Sequence, residues 1–578
     1  MNHENNLGRR RFLQSASGVA LGLGLSGLSA ATVQADVPNG KGRAYYLSSS
    51  EGGDDQKGTI KAPWKTLAKI SSVSLHAGDK IYFKAGDRFD GHFVVNGSGS
   101  DEDPILISSY GAGPKPILTG QVGAGHGGDY QEAIYIQNAD NIILDGLDVR
   151  NERKFARQSV RDIDAFAVNV SNTGTRVMKN ITLRSMTFQK VYAVQPMLER
   201  SDFDSLLVAA VRFTSSKNTR VGDEKNIQNI LVENCYFTDI QRLGIQFMHA
   251  GGLEGVGNDA INRNMDVVVR NNIFHHLGGT SVLPQSVYNC LIEHNLFDHP
   301  GSNVDPRMPG RGSSSWPINC INTVLQHNRC LSTRGYADSC GIHIDLNNLN
   351  TFIQYNYMED CEGGFVEILG GNVNSVYRFN VSVNDAWRKS PPGTPFWKQG
   401  HTLWVSGSQG KDKEPAPPAN TYIYNNTICV DQAFPTSIDI MGQDTFIYNN
   451  IFYSTKGGKI GGDTVSIKPN NQNLFISSNL FFGDVGSQFT QLDARPVTAD
   501  PTFSGKGEGL DKYQLMAGSP AIGQGLIKQG LAIPGAGKGV FKNISAYPTI
   551  DAYGNPIDVV PAPPNIGACN AKRGELSA

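Results

Sequence analysis

The octapeptide TFIYNNIF (445–452) is one of eleven related segments that recur along the chain. Each has two or three apolar residues, then polar residues, then an apolar pair. The sixth position is Leu, Met and Cys in the first three copies and Asn in the other eight. The closest copies begin 23 to 24 residues apart. The others are IILDGLDV (142–149), ITLRSMTF (181–188), ILVENCYF (230–237), VVVRNNIF (267–274), CLIEHNLF (290–297), TVLQHNRC (323–330), TFIQYNYM (351–358), SVYRFNVS (375–382), TYIYNNTI (421–428) and LFISSNLF (474–481).

A repeat this short, made of β-forming residues, cannot bury its own apolar face. Stacking successive repeats removes that face from water, so the pattern predicts a parallel β-helix whose coils pair at ~4.8 Å. Asn side chains stacked at a bend can hydrogen-bond to each other and to the backbone, which explains the Asn column without catalysis. Leucine-rich and WD repeats are set aside because their signatures are missing.

A second type of strand accompanies these segments and alternates apolar with polar residues. Such alternation is typical of a strand with one buried face. The second strand therefore supplies another wall of each coil. Its copies are EAIYIQN (132–138), AFAVNVSN (165–172), LGIQFMHAG (243–251), CGIHIDLN (340–347), GGFVEIL (363–369), HTLWVSGS (401–408), TSIDIMG (436–442) and DTVSIKP (463–469).

Composition agrees with an all-β protein of considerable size. The chain has 578 residues, of which 39% are hydrophobic, and it contains 65 Gly, 26 Phe and 20 Tyr. With 51 Lys and Arg against 53 Asp and Glu, it has no basic excess, which excludes a general nucleic-acid partner. The eight cysteines form no CxxC motif, so we expect them to be small buried hydrophobes. A disulfide among Cys320, Cys330, Cys340 and Cys361 is the alternative.

The first 35 residues are predicted to be an export signal. Arg9, Arg10 and Arg11 precede an apolar run (19–28), and a small-residue cleavage site follows, near Ala35. The run is too short and too Gly-rich for a membrane span. The Arg pair followed by Phe and Leu resembles the twin-arginine signal, so we expect the twin-arginine machinery to deliver the protein to the periplasm or outside.

The two ends of the remaining chain also carry recognisable stretches. Near the N-terminus these are GTIKAPWKTL (58–67), AGDKIYFKAGDRFDG (77–91) and DPILISSYGAGPKPILTG (103–120), and near the C-terminus DPTFSGKGEGLDKYQLMAGSPAIGQG (500–525). With the repeats, the chain over about 43–570 resembles the right-handed parallel β-helix proteins of the pectate-lyase-like superfamily. The resemblance implies a secreted carbohydrate-active protein, in a superfamily that includes lyases, hydrolases, epimerases, esterases and non-enzymatic proteins.

We therefore expect a right-handed parallel β-helix solenoid of about eleven or more coils. The predicted organisation is a signal peptide (1–35), an N-terminal cap with the first coils (36–131), the β-helix with inserted loops (132–499) and a C-terminal segment (500–578). A β-helix has no pocket by default, so long insertions such as 298–322 and 383–420 mark the candidate site.

The richest polar segment between these insertions contains a candidate acid pair. In Ile342-His343-Ile344-Asp345 the alternation turns His343 and Asp345 outward, and in Phe365-Val366-Glu367-Ile368 it turns Phe365 and Glu367 outward. Because Asp345 and Glu367 are 22 residues apart, about one coil, we expect them on neighbouring rungs. Two such carboxyls suit acid/base or nucleophilic attack on a glycosidic bond, with Asp338 or His343 assisting.

Two other chemistries fit the same strip. A uronate lyase acting by β-elimination would use Arg334, His343 or Lys389 as base or neutraliser, with Arg388 on the same face, although no Lys lies between 335 and 372. Stacked acids can also bind Ca²⁺, which is the one cofactor considered possible, or simply face water.

Aromatic residues are concentrated in the same stretch. Four of the five Trp lie there, and their faces can stack on sugar rings, although loop packing explains any single one as well. The main prediction is an exported polysaccharide-degrading glycoside hydrolase. A polysaccharide lyase and a non-enzymatic carbohydrate-binding surface protein are the alternatives. The aromatic candidates for substrate binding are Trp316, Tyr336, Trp387, Trp397 and Trp404.

Overall fold

The computed structural model describes residues 42–571, apart from 196–202, 204, 218–223, 251–261, 390–398, 411–412, 469–470 and 558–562. The predicted export signal and Trp397 therefore lie outside the described residues. In the part that is described, no helix is both long and apolar enough to cross a membrane.

The parallel β-helix expected from the repeats is confirmed. Every pairing between strands of the helix is parallel, and a complete coil contributes one strand to each of three faces. The first and second faces are continuous sheets of fourteen strands, whereas the third is divided into sheets of six and four strands. The sheets thus contain more coils than the eleven repeats required.

The strands of the first and second faces are as follows. The first face contains β1 (Ala44–Leu47), β2 (Lys80–Lys84), β5 (Ile105–Tyr110), β8 (Ile142–Asp145), β11 (Met178–Arg184), β14 (Ile227–Glu233), β17 (Asn264–Arg270), β20 (Val287–Glu293), β22 (Ile321–Gln326), β24 (Leu349–Gln354), β27 (Val373–Arg378), β30 (Ala419–Tyr424), β33 (Gln443–Tyr448) and β36 (Phe475–Ser477). The second contains β3 (Arg88–Asp90), β6 (Ile117–Thr119), β9 (Asp148–Glu152), β12 (Thr187–Tyr192), β15 (Tyr236–Ile240), β18 (Ile273–Leu277), β21 (Leu296–Pro300), β23 (Arg329–Leu331), β25 (Tyr357–Glu359), β28 (Val381–Val383), β31 (Thr427–Val430), β34 (Ile451–Ser454), β37 (Leu480–Phe482) and β38 (Val497–Thr498).

The third face has fewer strands. Its six-stranded sheet contains β4 (Phe93–Val95), β7 (Glu132–Gln137), β10 (Asp164–Asn172), β13 (Leu207–Ser215), β16 (Leu243–His249) and β19 (Val282–Pro284). Its four-stranded sheet contains β26 (Gly364–Ile368), β29 (His401–Val405), β32 (Pro435–Ile440) and β35 (Lys459–Ile467).

The Asn column predicted from the repeats forms a continuous hydrogen-bonded ladder between the first and second faces. The Nδ2 of Asn328, for example, donates to the Oδ1 of Asn356 and to the Ile292 carbonyl, both at 3.0 Å. The residue before each ladder position has a positive φ, such as +53° at His327, which makes the sharp bend. Buried amide groups therefore satisfy the backbone where the chain turns. The ladder consists of Asn272, Asn295, Asn328, Asn356, Asn380, Asn426, Asn450 and Asn479.

The interior is filled by apolar side chains that repeat at the rung spacing. Phe188, Phe237, Phe274 and Phe297 stack along the second face with ring centroids 4.4–5.1 Å apart. All eight cysteines are buried, as expected for small hydrophobes, and the structure contains them as free thiols.

Two short helices pack against the core at opposite ends of the chain's path. Helix α1 (Leu67–Ser71) begins after Thr66, whose hydroxyl accepts from the Lys69 amide at 3.1 Å, and it buries two apolar side chains. Helix α2 (Ser487–Thr490) inserts Phe489 against Phe452 and Phe481. Both shield the apolar interior that a solenoid exposes at its ends.

The C-terminal segment covers the outer sides of the first and second faces. Phe541 and Ile544 pack with Val324 and Phe352 outside the first face, and Ala568 packs with Val381 outside the second. Among the described residues, these clusters include no residue of the third face. The third face is thus the one that this segment leaves uncovered.

Candidate active site

The candidate site lies where the third face is interrupted. Between β19 and β26, two coils (312–318 and 340–346) join the sheets through isolated bridges only, including Ser315 to Ile342 and Cys340 to Gly364. Three of the site residues predicted from the sequence, Trp316, His343 and Asp345, lie on these coils. The backbone there is extended but is not held by a continuous ladder.

The rung alignment differs from the prediction. The bridges from Cys340 to Gly364 and from Ile344 to Ile368 join residues 24 apart, so Glu367 is level with His343. The expectation that Asp345 and Glu367 occupy equivalent positions on neighbouring rungs is therefore wrong. The corner between these coils holds two residues more than the assumed 22-residue coil, and a shift of this size moves the partner one side-chain position along the strand.

The inward positions predicted from the alternation are confirmed, whereas Phe365, predicted to face outward, is fully buried in the core. Ile342, Ile344, Val366 and Ile368 are fully buried in the core. Apart from Phe365, the side chains at the alternate positions of these strands point away from the core. Those that are level with one another on successive rungs form what we call the outward column. The column contains Trp316, His343, Glu367 and Trp404.

Asp345 lies two residues beyond His343 on the same coil and is half-buried. Its Oδ1 accepts from the Leu346 amide at 2.8 Å. Burial raises the pKa of Asp345 to about 6, and the Asp338 and Glu367 carboxylates act in the same direction while His343 opposes them. Among the described residues, no Lys or Arg forms an ion pair with Asp345.

Asp338 has the opposite environment. The Arg311 guanidinium contacts the Asp338 carboxylate through Nη2 at 2.6 Å and Nε at 2.8 Å. The Asp338 side chain is 17% exposed and that of Arg311 is 14% exposed. Asp338 is therefore a charge-paired carboxylate that solvent still reaches.

The loop that carries Asp338 is held in a strained conformation. Asp338 and Ser339 both have positive φ, at +55° and +65°, which is unusual for two consecutive non-glycine residues. At Gly335, with φ of +144°, a Cβ would lie 2.6 Å from the Ser339 Oγ and 2.8 Å from the Arg311 Cα. Only glycine therefore fits at 335. Strain of this kind persists where the surroundings hold it.

Two buried side chains fasten this loop. Arg388 is 3% exposed and donates from Nη1 to the Gly335 carbonyl at 2.8 Å and the Asp338 carbonyl at 3.0 Å. Glu362 accepts from the Gly335 amide at 3.0 Å, and burial raises the pKa of Glu362. Arg388, predicted to bind substrate, instead positions the Asp338 loop.

Glu367 is enclosed more completely than the other acids. It is 2% exposed, and its Oε2 lies 3.0 Å from the Cys340 Sγ, which donates. The other oxygen, Oε1, is buried without a hydrogen-bond partner. Because a catalytic carboxyl must contact its substrate, this environment disfavours Glu367 as the acid of a hydrolase.

The aromatic members of the column stack on histidines. The Trp316 ring lies 5.6 Å from that of His343, with Trp316 Nε1 donating to the Thr280 Oγ1 at 2.7 Å. The Trp404 ring lies 5.1 Å from that of His401. Both Trp side chains are half-buried, so each keeps part of its surface for a ligand. The alternation correctly predicted that Trp404 faces outward.

Of the three groups proposed as base or neutraliser of a lyase, Arg334 is paired and His343 is enclosed, whereas Lys389 is exposed. Arg334 forms an ion pair with Asp360 and lies 5.2 Å above the Trp387 ring, whose Nε1 donates to the same carboxylate at 2.9 Å. His343 is 1% exposed, and Lys389 is exposed beside the segment 390–398. Tyr336 is half-buried, with its ring 5.5 Å from the Arg311 guanidinium.

Sequence reasoning missed three participants. Neither Arg311 nor His401 is singled out by a motif, and Cys340 was predicted to be a small buried hydrophobe like the other cysteines. The signal that could have identified Cys340 as a site residue is its position in the sequence, three residues before His343 in the same strand-forming segment. Arg311 lies 27 residues before Asp338, so no local pattern indicates their contact.

One group among the described residues has metal-ligand geometry. A ligand atom from each of Cys340, His343 and Glu367 lies within 4.8 Å of the other two, and all three residues are buried. This donor set contains sulfur and nitrogen, whereas Ca²⁺ takes oxygen ligands. The group therefore does not fit the calcium site considered from the sequence.

Comparison with known proteins supports the fold. No protein-family model matches the chain. The lacto-N-biosidase of Bifidobacterium longum subsp. longum is 22% identical over 577 residues, which cover 84% of this chain and 34% of that protein. The chain thus spans about a third of the length of the curated relative it matches.

Solved structures of a similar protein have the same architecture. A GH136 lacto-N-biosidase from Eubacterium ramulus superposes with a TM-score of 0.55 at 17% identity, over 79% of this chain and 68% of that chain. The native form of the same protein gives a TM-score of 0.51 at 18% identity, over 79% and 67%. The parallel β-helix is therefore shared with a protein of carbohydrate metabolism.

Proposed function

We propose that this protein is an exported glycoside hydrolase that cleaves an oligosaccharide or polysaccharide on its third face. The observation that carries the proposal is the pair of partly buried acids, Asp338 and Asp345, on one coil of the face that the C-terminal segment leaves uncovered. Retaining and inverting glycosidases both use two carboxyl groups beside the scissile bond.

The surroundings of the two carboxyls suit different roles. Arg311 stabilises the charged form of Asp338, which suits a nucleophile or a base. Asp345 has no cationic partner among the described Lys and Arg residues, which suits a proton donor to the leaving oxygen. Glu367, first considered as the partner of Asp345, is assigned a different role below.

Aromatic surface flanks the carboxyls. Trp316 and Trp404 belong to the same outward column, three rungs apart, or ~14 Å at the usual strand spacing. That separation spans roughly two to three sugar rings, so the two Trp faces suit sugars on either side of the cleaved bond. Tyr336 lies beside Arg311 at the edge of this surface.

The similarity to lacto-N-biosidases makes a hydrolase the favoured reaction class, and lacto-N-biosidase activity the first to assay. Export rests on the twin-arginine-like pattern before residue 36. A uronate lyase receives less support, because Arg334 is paired with Asp360 and His343 is enclosed.

The test is product chemistry with purified protein. Lacto-N-tetraose and a panel of neutral and acidic polysaccharides would be incubated, with products followed by mass, reducing ends and ultraviolet absorbance. New reducing ends without absorbance would support the hydrolase. An absorbing unsaturated uronate would replace it with the lyase. Tight binding of a sugar without turnover would indicate the binding protein instead.

A further inference from the structure

Glu367 is a buried acid with no cationic partner. Its side chain is almost fully enclosed, and among the described residues no Lys or Arg forms an ion pair with it. One of its oxygens, Oε1, has no hydrogen-bond partner at all. Burying a charged carboxylate in this way is costly unless a cation compensates it.

The groups around Glu367 are themselves metal ligands. The Cys340 thiol lies 3.0 Å from Oε2, and an imidazole nitrogen of His343 completes a group whose ligand atoms lie within 4.8 Å of one another. The Ser313 Oγ lies 3.1 Å from the His343 Nδ1, and Trp316 stacks on the ring, so His343 is held in orientation from two sides.

We propose that Cys340, His343 and Glu367 bind one divalent transition-metal ion, for which Zn²⁺ is the best match. Cysteine, histidine and carboxylate side chains are the protein ligands that zinc takes, and three of them leave a fourth position for water or a further group. The Cys340 thiol loses its proton to solvent when the metal–sulfur bond forms. One thiolate and one carboxylate then neutralise the two charges of the ion.

The position in the fold gives such an ion a structural role. Cys340 and His343 belong to one coil and Glu367 to the next, and these coils are joined here by isolated bridges instead of a full strand pairing. A metal bound by both coils would cross-link the third face at its interruption. The inference is independent of the hydrolase assignment, which uses Asp338 and Asp345.

The experiment measures metal in the purified protein and in variants. Protein stripped with a chelator is titrated with Zn²⁺ alone, and with Co²⁺ as a spectroscopic substitute. We expect one equivalent of Zn²⁺, a rise in Tm on binding, and a thiolate-to-cobalt charge-transfer band with Co²⁺.

Variants identify the ligands. Cys340→Ala should abolish the cobalt band, and Glu367→Gln should weaken Zn²⁺ binding by about 100-fold or more. Cys290→Ala, which removes a buried thiol outside this group, should leave the band unchanged. The proposal is overturned if wild-type protein binds no stoichiometric Zn²⁺ and shows no charge-transfer band, or if Cys340→Ala keeps the band. The wild-type spectrum alone can reject the proposal, so the test remains decisive even if a variant fails to fold.

Discussion

The first two faces of the helix are regular sheets, whereas the third face is interrupted, although the same coils form all three. The first and second faces are unbroken sheets of fourteen strands joined by the Asn ladder. The third face loses its regular pairing midway, where its coils carry Asp338, Asp345 and the Cys340 group instead. The difference indicates that continuity on two faces supports irregular backbone on the third.

The strongest test of this division is Asp345→Asn. If the third face carries the chemistry, the variant should lose about 10³-fold in kcat, because it removes a proton donor, while its Tm stays near wild type. Hydrolysis kinetics and thermal unfolding measure the two effects. Asp145→Asn, a half-buried acid paired with Arg184 on the first face, is the matched control. Wild-type turnover in Asp345→Asn would remove the third face from the reaction.

The converse test is Asn328→Leu, in the ladder. The change removes the Oδ1 acceptor of the Asn295 backbone and side-chain N–H groups and the Nδ2 donor to the Ile292 carbonyl and the Asn356 Oδ1, so we expect the free energy of unfolding to fall by about 3 kcal/mol. The folded variant should keep its kcat. Denaturant unfolding with Asn543→Leu, an exposed position outside the ladder, gives the comparison. Equal stability of the two variants would contradict a supporting role for the ladder.

A smaller effect is expected from Arg311→Gln. Removing the guanidinium takes away the ion pair with the Asp338 carboxylate, which should lower kcat by about tenfold while Arg311→Lys restores part of it. Arg307→Gln, in the same loop but paired with Asp305 and Glu152, should have little effect on kcat. If both Gln variants lower kcat equally, the effect comes from the loop as a whole and not from the ion pair with Asp338.

A pH-dependent effect on stability is expected at the corner that leads to the third face. Asp385 is 3% exposed, and burial raises its pKa from 3.8 to about 7. The folded protein therefore holds a proton that the unfolded chain releases, so this group costs stability as pH rises from about 4 to about 7. Asp385→Asn should lose less stability than wild type over that window in denaturant titrations. Parallel pH profiles for the two proteins would contradict the assignment.

The sequence predicted the repeating part of the molecule well, because that part depends on local chemistry. The Asn at the sixth repeat position marks the bend in eight of the eleven copies, and alternation in 342–345 and 366–368 correctly identified the side chains of the apolar core. The prediction that Glu367 is level with Asp345 was wrong, although the sequence contains the spacing that gives the correct alignment. Asn356 and Asn380 of the same two coils are 24 residues apart, the spacing that aligns Glu367 with His343.

The remainder of the site depends on contacts between distant residues. The pairing of Arg311 with Asp338 and the approach of Cys340 to Glu367 join residues 27 apart, through corners whose lengths follow no repeat. A sequence pattern with a fixed period cannot place such corners. Candidate site residues could therefore be chosen from the sequence, but the contacts between them could not be predicted.

The interrupted third face also has a consequence for how this protein can change over generations. Insertions and deletions in 298–322 or 383–420 alter the walls of the site without shifting the register of β22, β24 or β27. New side chains can therefore appear at the surface of the third face while the ladder stays intact. Such a scaffold separates the part that provides stability from the part that varies, so related chains can diverge in the ligand they accept while keeping the same coils.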